Sequence, residues 1–538
     1  MAKIKFSENP LYYEIVLENA KHIFYGGWKL FDKQFKTWQK FLLLFFVLGF
    51  MASLTLFLPR VQNLILDFGD RVAGHTLFRS VWNRRIIRLG MSLCAIFCVL
   101  IVLLLPVQFT RKQFGFDAKG KILSLARKPL FAFSVLYIAL LVIGFFLMCL
   151  VYSLPVEMMQ ENLKDSVPYF RITEEIGNQS LMEEDPTSHL DDFADALMLI
   201  EAAYKSEHII PVAAMLNERP SVNDKNPYQT LVSIYGDDNK DFNVVSYGRY
   251  WHGYEIFLKP LLFFTTYSGI RWIMIFFQIA LVICFIIILV RKSLIVQIIP
   301  FLGMWIFLNP PTMMISLQYN TIFVITMIAL ILIASFYKSC YDFQHNKLFY
   351  LYYFFIVGCL TSYFDFLTFP LLTFGVPVIF LISLNGRSFK ENFVFLVKCA
   401  ILWLLGYVFM WGGKWILGSI VTKTNILVQA QNAITFRASS KVDSEAVSYF
   451  KVVFINLKKG VLVPMLFAAF AIFIFNTRRN LCIQRKDLIF LVTALMPFAW
   501  YMVVKNHSYI HSWFTYRILG ITVFSILMLC ISMRKNNS

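Results

Sequence analysis

The stretch FAFSVLYIALLVIGFFLMCLVYSL, residues 131–154, decides the fold. It carries no charged residue along its whole length. As a helix rising 1.5 Å per residue it covers roughly 30 Å of hydrocarbon. Backbone groups in lipid must find partners within the chain, so a run of this kind is a helix. It shows none of the alternation that marks a membrane barrel strand.

Similar runs recur on both sides of it, near 41–58 and 89–109, then near 270–290, 293–309, 314–336, 349–365, 368–384, 393–412, 460–477, 487–504 and 517–533. The chain therefore reads as all-α, a polytopic helical membrane protein with about 12 transmembrane helices. Its expected place is the cell (plasma) membrane, multi-pass, with the lipid bilayer as its surroundings. Composition agrees, with 58% hydrophobic and only 15% charged residues, where a soluble chain of this length would carry more charge.

Two longer polar segments interrupt the runs, at 155–269 and 413–459. Three regions follow: a basic N-terminal segment with a transmembrane hairpin (1–130), a transmembrane module that includes the first loop (131–412), and the second loop with the C-terminal helices (413–538). The net charge of +18 is unevenly placed. Residues 155–260 hold 19 acids against 8 Lys and Arg. The remaining excess is cationic and flanks the spans, which is the pattern of topology signals and anionic-lipid contact, not of nucleic-acid binding. With Arg291, Lys292, Arg387, Lys390, Arg478, Arg479, Arg534 and Lys535 on the inside, the acidic loop is extracytoplasmic and both termini are cytoplasmic. The six arginines of 59–88 oppose this assignment. Either the first apolar run is re-entrant or interfacial, or those arginines face an external anion. The nine cysteines form no CxxC pair and the acidic loop has none, so neither a disulfide framework nor a zinc site is expected.

On this topology the unusual polar residues collect on the outer side. In HLDDFADALML, 189–199, Asp191 and Asp195 share a helix face and Asp192 lies beside them. The apolar remainder suits a helix lying on the membrane surface, where desolvation and like charge raise a carboxylate's pKa toward that of a general base. A solvated acidic face is the plainer reading. In SYGRYWHGYEIFLKPLL, 246–262, Arg249 and His252 stand among tyrosines and a tryptophan, either as an anion site or as an interfacial aromatic belt. Asp365 in SYFDFLTFP sits at a span end, and Gln318 begins another in SLQYN; acids at membrane depth are functional candidates, while helix–helix hydrogen bonding accounts as well for the amide. In KNHSYIHSWFTYR, 505–517, His507 and His511 are four apart and Arg517 opens the last span. No acid or cysteine clusters with the histidines, so no metal is assigned and no cofactor is required by any motif. Arginine and aromatics together suit a sugar phosphate or an anionic lipid head group.

The order of one span, a long outer loop bearing acids, closely spaced spans and a second outer loop resembles the GT-C class of integral membrane glycosyltransferases. The likeness covers roughly 131–538, and the chain also resembles bacterial multi-spanning membrane proteins. It implies a polyprenyl-phosphate-linked sugar as donor and a glycan or cell-wall acceptor outside the cytoplasm. Asp191, Asp192 and Asp195 would then be the catalytic acids. Arg249, His252, His507, His511 and Arg517 would stabilise the departing phosphate, and Asp365 and Gln318 would orient sugar or acceptor. The class places its acid earlier in the loop than this chain does. A transporter or flippase of lipid-linked glycans, and a surface-polysaccharide polymerase or ligase, fit the same pattern of spans and outer cations.

Overall fold

The computed structural model describes residues 129–538 except 182–184, 238–240, 337–346, 440, 443–444, 460–461, 479–480 and 536–538. The expected basic segment of 1–130 and its two spans lie outside the described residues. Among those described, helix dominates and strands are confined to short antiparallel pairs.

Among the described residues six helices are long and apolar enough to cross a membrane: Phe131–Tyr152, Tyr267–Arg291, Leu317–Phe336, Phe389–Thr422, Arg485–Val503 and Ser512–Ser532. Four expected spans are shorter apolar helices, at Ile295–Phe307, Phe349–Phe364, Leu372–Ser383 and Ala469–Arg478. The chain is thus a helical, membrane-embedded protein by length and composition. The Tyr267–Arg291 helix shows how the pattern is used. Ile270, Met274, Gln278, Val282, Phe285 and Leu289 make a buried stripe at three- and four-residue steps. The opposite side exposes Trp272, Phe276, Phe277, Ile283, Ile287 and Val290. That exposed apolar band is far larger than a water-facing surface tolerates, and hydrocarbon is its natural solvent.

The helices Lys347–Phe364 and Phe389–Thr422 cross at glycines. A Cβ on Gly358 would stand 2.0 Å from the Trp403 carbonyl oxygen, and one on Gly406 would stand 2.1 Å from that of Phe355. The two backbones touch, as small residues allow where no hydrophobic force draws helices together. The Phe389–Thr422 helix runs well past the expected end at 412. A capping box at Ser388 and Glu391 starts it, and the left-handed Lys423 ends it. At 34 residues it is about 50 Å long. Lys414, which ended the apolar run in sequence, lies inside it. The Lys414 ammonium is buried and donates to Met215 O at 3.0 Å and to Asn217 Oδ1 at 2.7 Å.

The acidic segment is folded. Helices Glu157–Lys164, Val167–Ile176, Asp192–Ala202, Pro227–Tyr235 and Glu255–Phe264 pack around one apolar cluster, while Ile210–Leu216 packs with Met148, Trp251 and Met410 in another. Strands Glu218–Ser221 and Asn243–Ser246 pair antiparallel, with Glu218 opposite Ser246. The second polar segment contributes helices Ile426–Ala438 and Tyr449–Leu457.

Candidate functional site

The Asp192–Ala202 helix does not lie on a surface. Nearly every residue of it is buried, including Asp192, Asp195 and the N-capping Asp191. Its polar side met partners instead of water. Asp192 accepts the Tyr169 hydroxyl and the Gln179 N–H, both at 2.7 Å, with Arg271 at 3.6 Å. Asp195 accepts the Tyr267 hydroxyl at 2.7 Å, the N–H groups of Leu317 and Gln318 at 3.1 and 3.2 Å, and the Ser316 hydroxyl at 3.3 Å. It therefore caps the Leu317–Phe336 helix, whose first N–H groups need an acceptor. Four donors fill the lone pairs of a carboxylate, so Asp195 is a structural cap and not a free base. Arg271 completes the cluster. It stacks 4.3 Å from the Tyr169 ring and 4.1 Å from the Tyr267 ring and donates to both hydroxyls. The sequence signal for it was a lone cation at the head of the apolar run near 270–290, four residues after Tyr267.

Asp191 differs. One oxygen accepts the Ala194 N–H at 3.1 Å. The Trp513 indole stands near enough to favour its charge, yet the indole N–H makes no complete hydrogen bond. Burial, with Asp195 and Asp192 adding to it, pushes the Asp191 carboxyl up to about 7. Burial pushes Asp195 up to about 6 against the pull of Arg271. The first polar segment thus meets the C-terminal stretch at Trp513. Arg517 fastens the same junction. It is fully buried between the Tyr319 and Tyr516 rings and donates to the carbonyls of Leu308 (3.1 Å), Trp513 (3.1 Å) and Thr187 (3.0 Å). All three nitrogens serve backbone oxygens, so Arg517 is a clamp and not the expected phosphate ligand.

His252 also turns inward. Its backbone is left-handed, with φ 54°. Its Nδ1 lies 2.9 Å from Glu201 and 2.8 Å from the Tyr254 hydroxyl, and its Nε2 lies 3.1 Å from the Tyr247 carbonyl. This is the interior of the folded segment, away from any opening. Gln318 is held by its backbone on Asp195, and its side-chain oxygen is buried without a partner. Neither residue touches the cavity described next.

That cavity, of about 450 Å³, is where three expected residues meet. Arg249, His507 and His511 line it, together with Arg437, Asn506, Gln429 and Asn432. Arg437 comes from the Ile426–Ala438 helix and had no motif to announce it. The guanidinium carbons of Arg249 and Arg437 lie 5.5 and 5.6 Å from one ring, that of Tyr250. Among the described residues neither arginine makes an ion pair. The His507 and His511 rings are 4.7 Å apart. Burial, with Arg437 beside it, pushes His511 down to about 4. Burial, then Arg437 and His511, hold His507 well below the usual histidine range. Both rings are neutral at physiological pH. The site is cationic through its arginines alone.

Asp365 does not face the cavity openly. Its carboxylate takes the N–H of Leu367 at 2.9 Å, the N–H of Thr368 at 3.0 Å, and the Thr368 hydroxyl. Among the described residues no three His, Cys, Asp or Glu side chains gather as metal ligands. Comparison with family models, curated proteins and solved structures found no match to this chain.

Proposed function

We propose that the chain is a membrane glycosyltransferase of GT-C-like organisation, moving a sugar from a polyprenyl-phosphate carrier to an extracytoplasmic cell-envelope acceptor with inversion. One observation carries the reading. Arg249 from the first polar segment, Arg437 from the second and the histidines of 505–517 line a single cavity beside apolar helices. Both guanidinium groups lie near the Tyr250 ring and offer charge-assisted donors to an anion in the cavity. A carrier phosphate is such an anion, with its isoprenoid tail lying along the lipid-facing helices.

In the reaction the acceptor hydroxyl attacks the anomeric carbon, and the bond from that carbon to the phosphate oxygen breaks. The electron pair leaves with the carrier phosphate, whose added charge falls between Arg249 and Arg437. The proton passes to Asp191, the one acid of the expected trio with an uncommitted oxygen and a pKa near neutrality. Asp191 does not line the cavity itself; the Trp513 indole beside it packs against the cavity-lining His511 with ring centroids 5.0 Å apart. Asp192 and Asp195 hold the frame.

Asp191→Asn in native membranes, given a radiolabelled polyprenyl-phosphate sugar, should bind the donor yet transfer it at least 100-fold more slowly, about the contribution of a general base. Arg437→Gln should weaken donor binding about tenfold, the loss of one charge-assisted hydrogen bond. Undiminished transfer by Asp191→Asn refutes the base. Full translocation of labelled lipid across the bilayer by that variant would favour a flippase instead.

A further inference from the structure

The cavity contains a buried acceptor that no protein group uses. His507 Nε2 lies 2.6 Å from the Leu367 carbonyl oxygen. A carbonyl only accepts, so Nε2 carries the hydrogen and the neutral ring leaves a lone pair on Nδ1. Nδ1 is buried and has no hydrogen-bond partner. A buried acceptor left without a donor destabilises the fold. An acceptor of that kind, in a cavity with room for a ligand, is suited to a ligand's donor.

The tautomer is held from behind. The Leu367 backbone is left-handed, at φ 77°, a conformation a branched side chain enters only under constraint. Asp365 supplies the constraint by accepting the N–H groups of Leu367 and Thr368 and the Thr368 hydroxyl. The turn so fixed aims the Leu367 carbonyl at His507. His507 is 4% exposed and Asp365 2%, so little solvent competes.

We infer that His507 Nδ1 accepts a hydrogen bond from a ligand hydroxyl adjacent to the anionic group held by Arg249 and Arg437, and that Asp365 is a positioning residue which fixes the tautomer through Leu367. The ligand class is a phosphate ester of a polyol, distinguished from a bare lipid phosphate by that hydroxyl. This rests on the cavity being the anion site proposed above and adds the feature that selects the sugar-bearing carrier. Neutral histidine suits the task. A charged ring would donate from both nitrogens and grip a second phosphate oxygen instead.

Two measurements on the full chain in nanodiscs test it. With ¹⁵N-labelled histidine, and His507→Gln to assign the signal, the parent should show His507 as one neutral tautomer with Nδ1 unprotonated. Asp365→Ala should mix the tautomers, and Asp365→Asn, which keeps one acceptor oxygen, should restore the parent signal in part. Where Asp365→Ala does not fold, Thr368→Val loosens the same turn. Calorimetry then compares a short-chain prenyl phosphate with the same lipid phosphate carrying glucose or galactose. His507→Phe and Asp365→Ala should erase a preference of about fivefold for a sugar-bearing lipid, the worth of one neutral hydrogen bond, read as the ratio of the two affinities in each variant. Arg437→Gln should weaken all the probes. A parent that binds bare and sugar-bearing lipids equally, or a His507 protonated on Nδ1, overturns the inference. Bare phosphate binding that ignores Arg437→Gln overturns the anion-site reading, and the tautomer measurement still decides the Asp365–His507 link.

Discussion

Replacing Asp195 by alanine separates a structural cap from a catalytic acid. The side chain accepts from two hydroxyls and from the N–H groups of Leu317 and Gln318. In the variant the hydroxyls of Tyr267 and Ser316 rotate toward other acceptors. The two N–H groups cannot, because they belong to the first turn of a helix. Each unpaired buried donor costs about 1–3 kcal/mol. Removing a carboxylate that burial already disfavours offsets part of the loss. The net expectation is about 3 kcal/mol, or roughly 3 °C in a chain of this size. Thermal unfolding in detergent, followed with a thiol-reactive dye, reads it directly. Cys149, Cys359, Cys399 and Cys530 are buried in the fold and label on unfolding. Tyr267→Phe removes the hydroxyl that donates to Asp195 and accepts from Arg271 but leaves both helix N–H groups capped, so it should cost less than Asp195→Ala. An Asp195→Ala midpoint within about 1 °C of the parent refutes the cap, since the loss of two helix N–H partners cannot be that small.

Gly406→Val would drive a side chain into the Phe355 carbonyl across the closest helix crossing. It should lower the unfolding midpoint more than Asp195→Ala does, because neither backbone can withdraw without opening the core. His511 predicts a pH dependence with a definite sign. Its ring is neutral in the fold down to about pH 4, while the unfolded chain takes up that proton near the ordinary histidine value, so its contribution to stability grows as pH rises through that window. Chemical unfolding from pH 4 to 7 should show a shallower rise in His511→Phe than in the parent.

Much of the site was legible because it rested on local signals. KNHSYIHSWFTYR and SYGRYWHGYE stood out as cations and aromatics beside spans, and Arg249, His507 and His511 do line one cavity. Asp191 stood out in sequence as one of a cluster of acids, and the fold makes it the N-cap of its helix. Arg437 was missed because a single arginine in a polar helix carries no local pattern. His252 and Arg517 carried the same local chemistry as their neighbours. Only the fold shows that one pairs with Glu201 and the other with three carbonyls.

What the sequence determined by itself was the helical, membrane-embedded character of the chain. Lipid offers no hydrogen bonds, so each apolar run must satisfy its own backbone, and that requirement acts within about 20 consecutive residues. The tertiary structure alone decided which acids are spent and which remain open. Asp192 meets Tyr169 across 23 residues, and Asp195 meets the Leu317 N–H across 122. A carboxylate's chemistry depends on how many of its lone pairs are taken and how much water is left. Those quantities belong to neighbours that only the folded chain brings together.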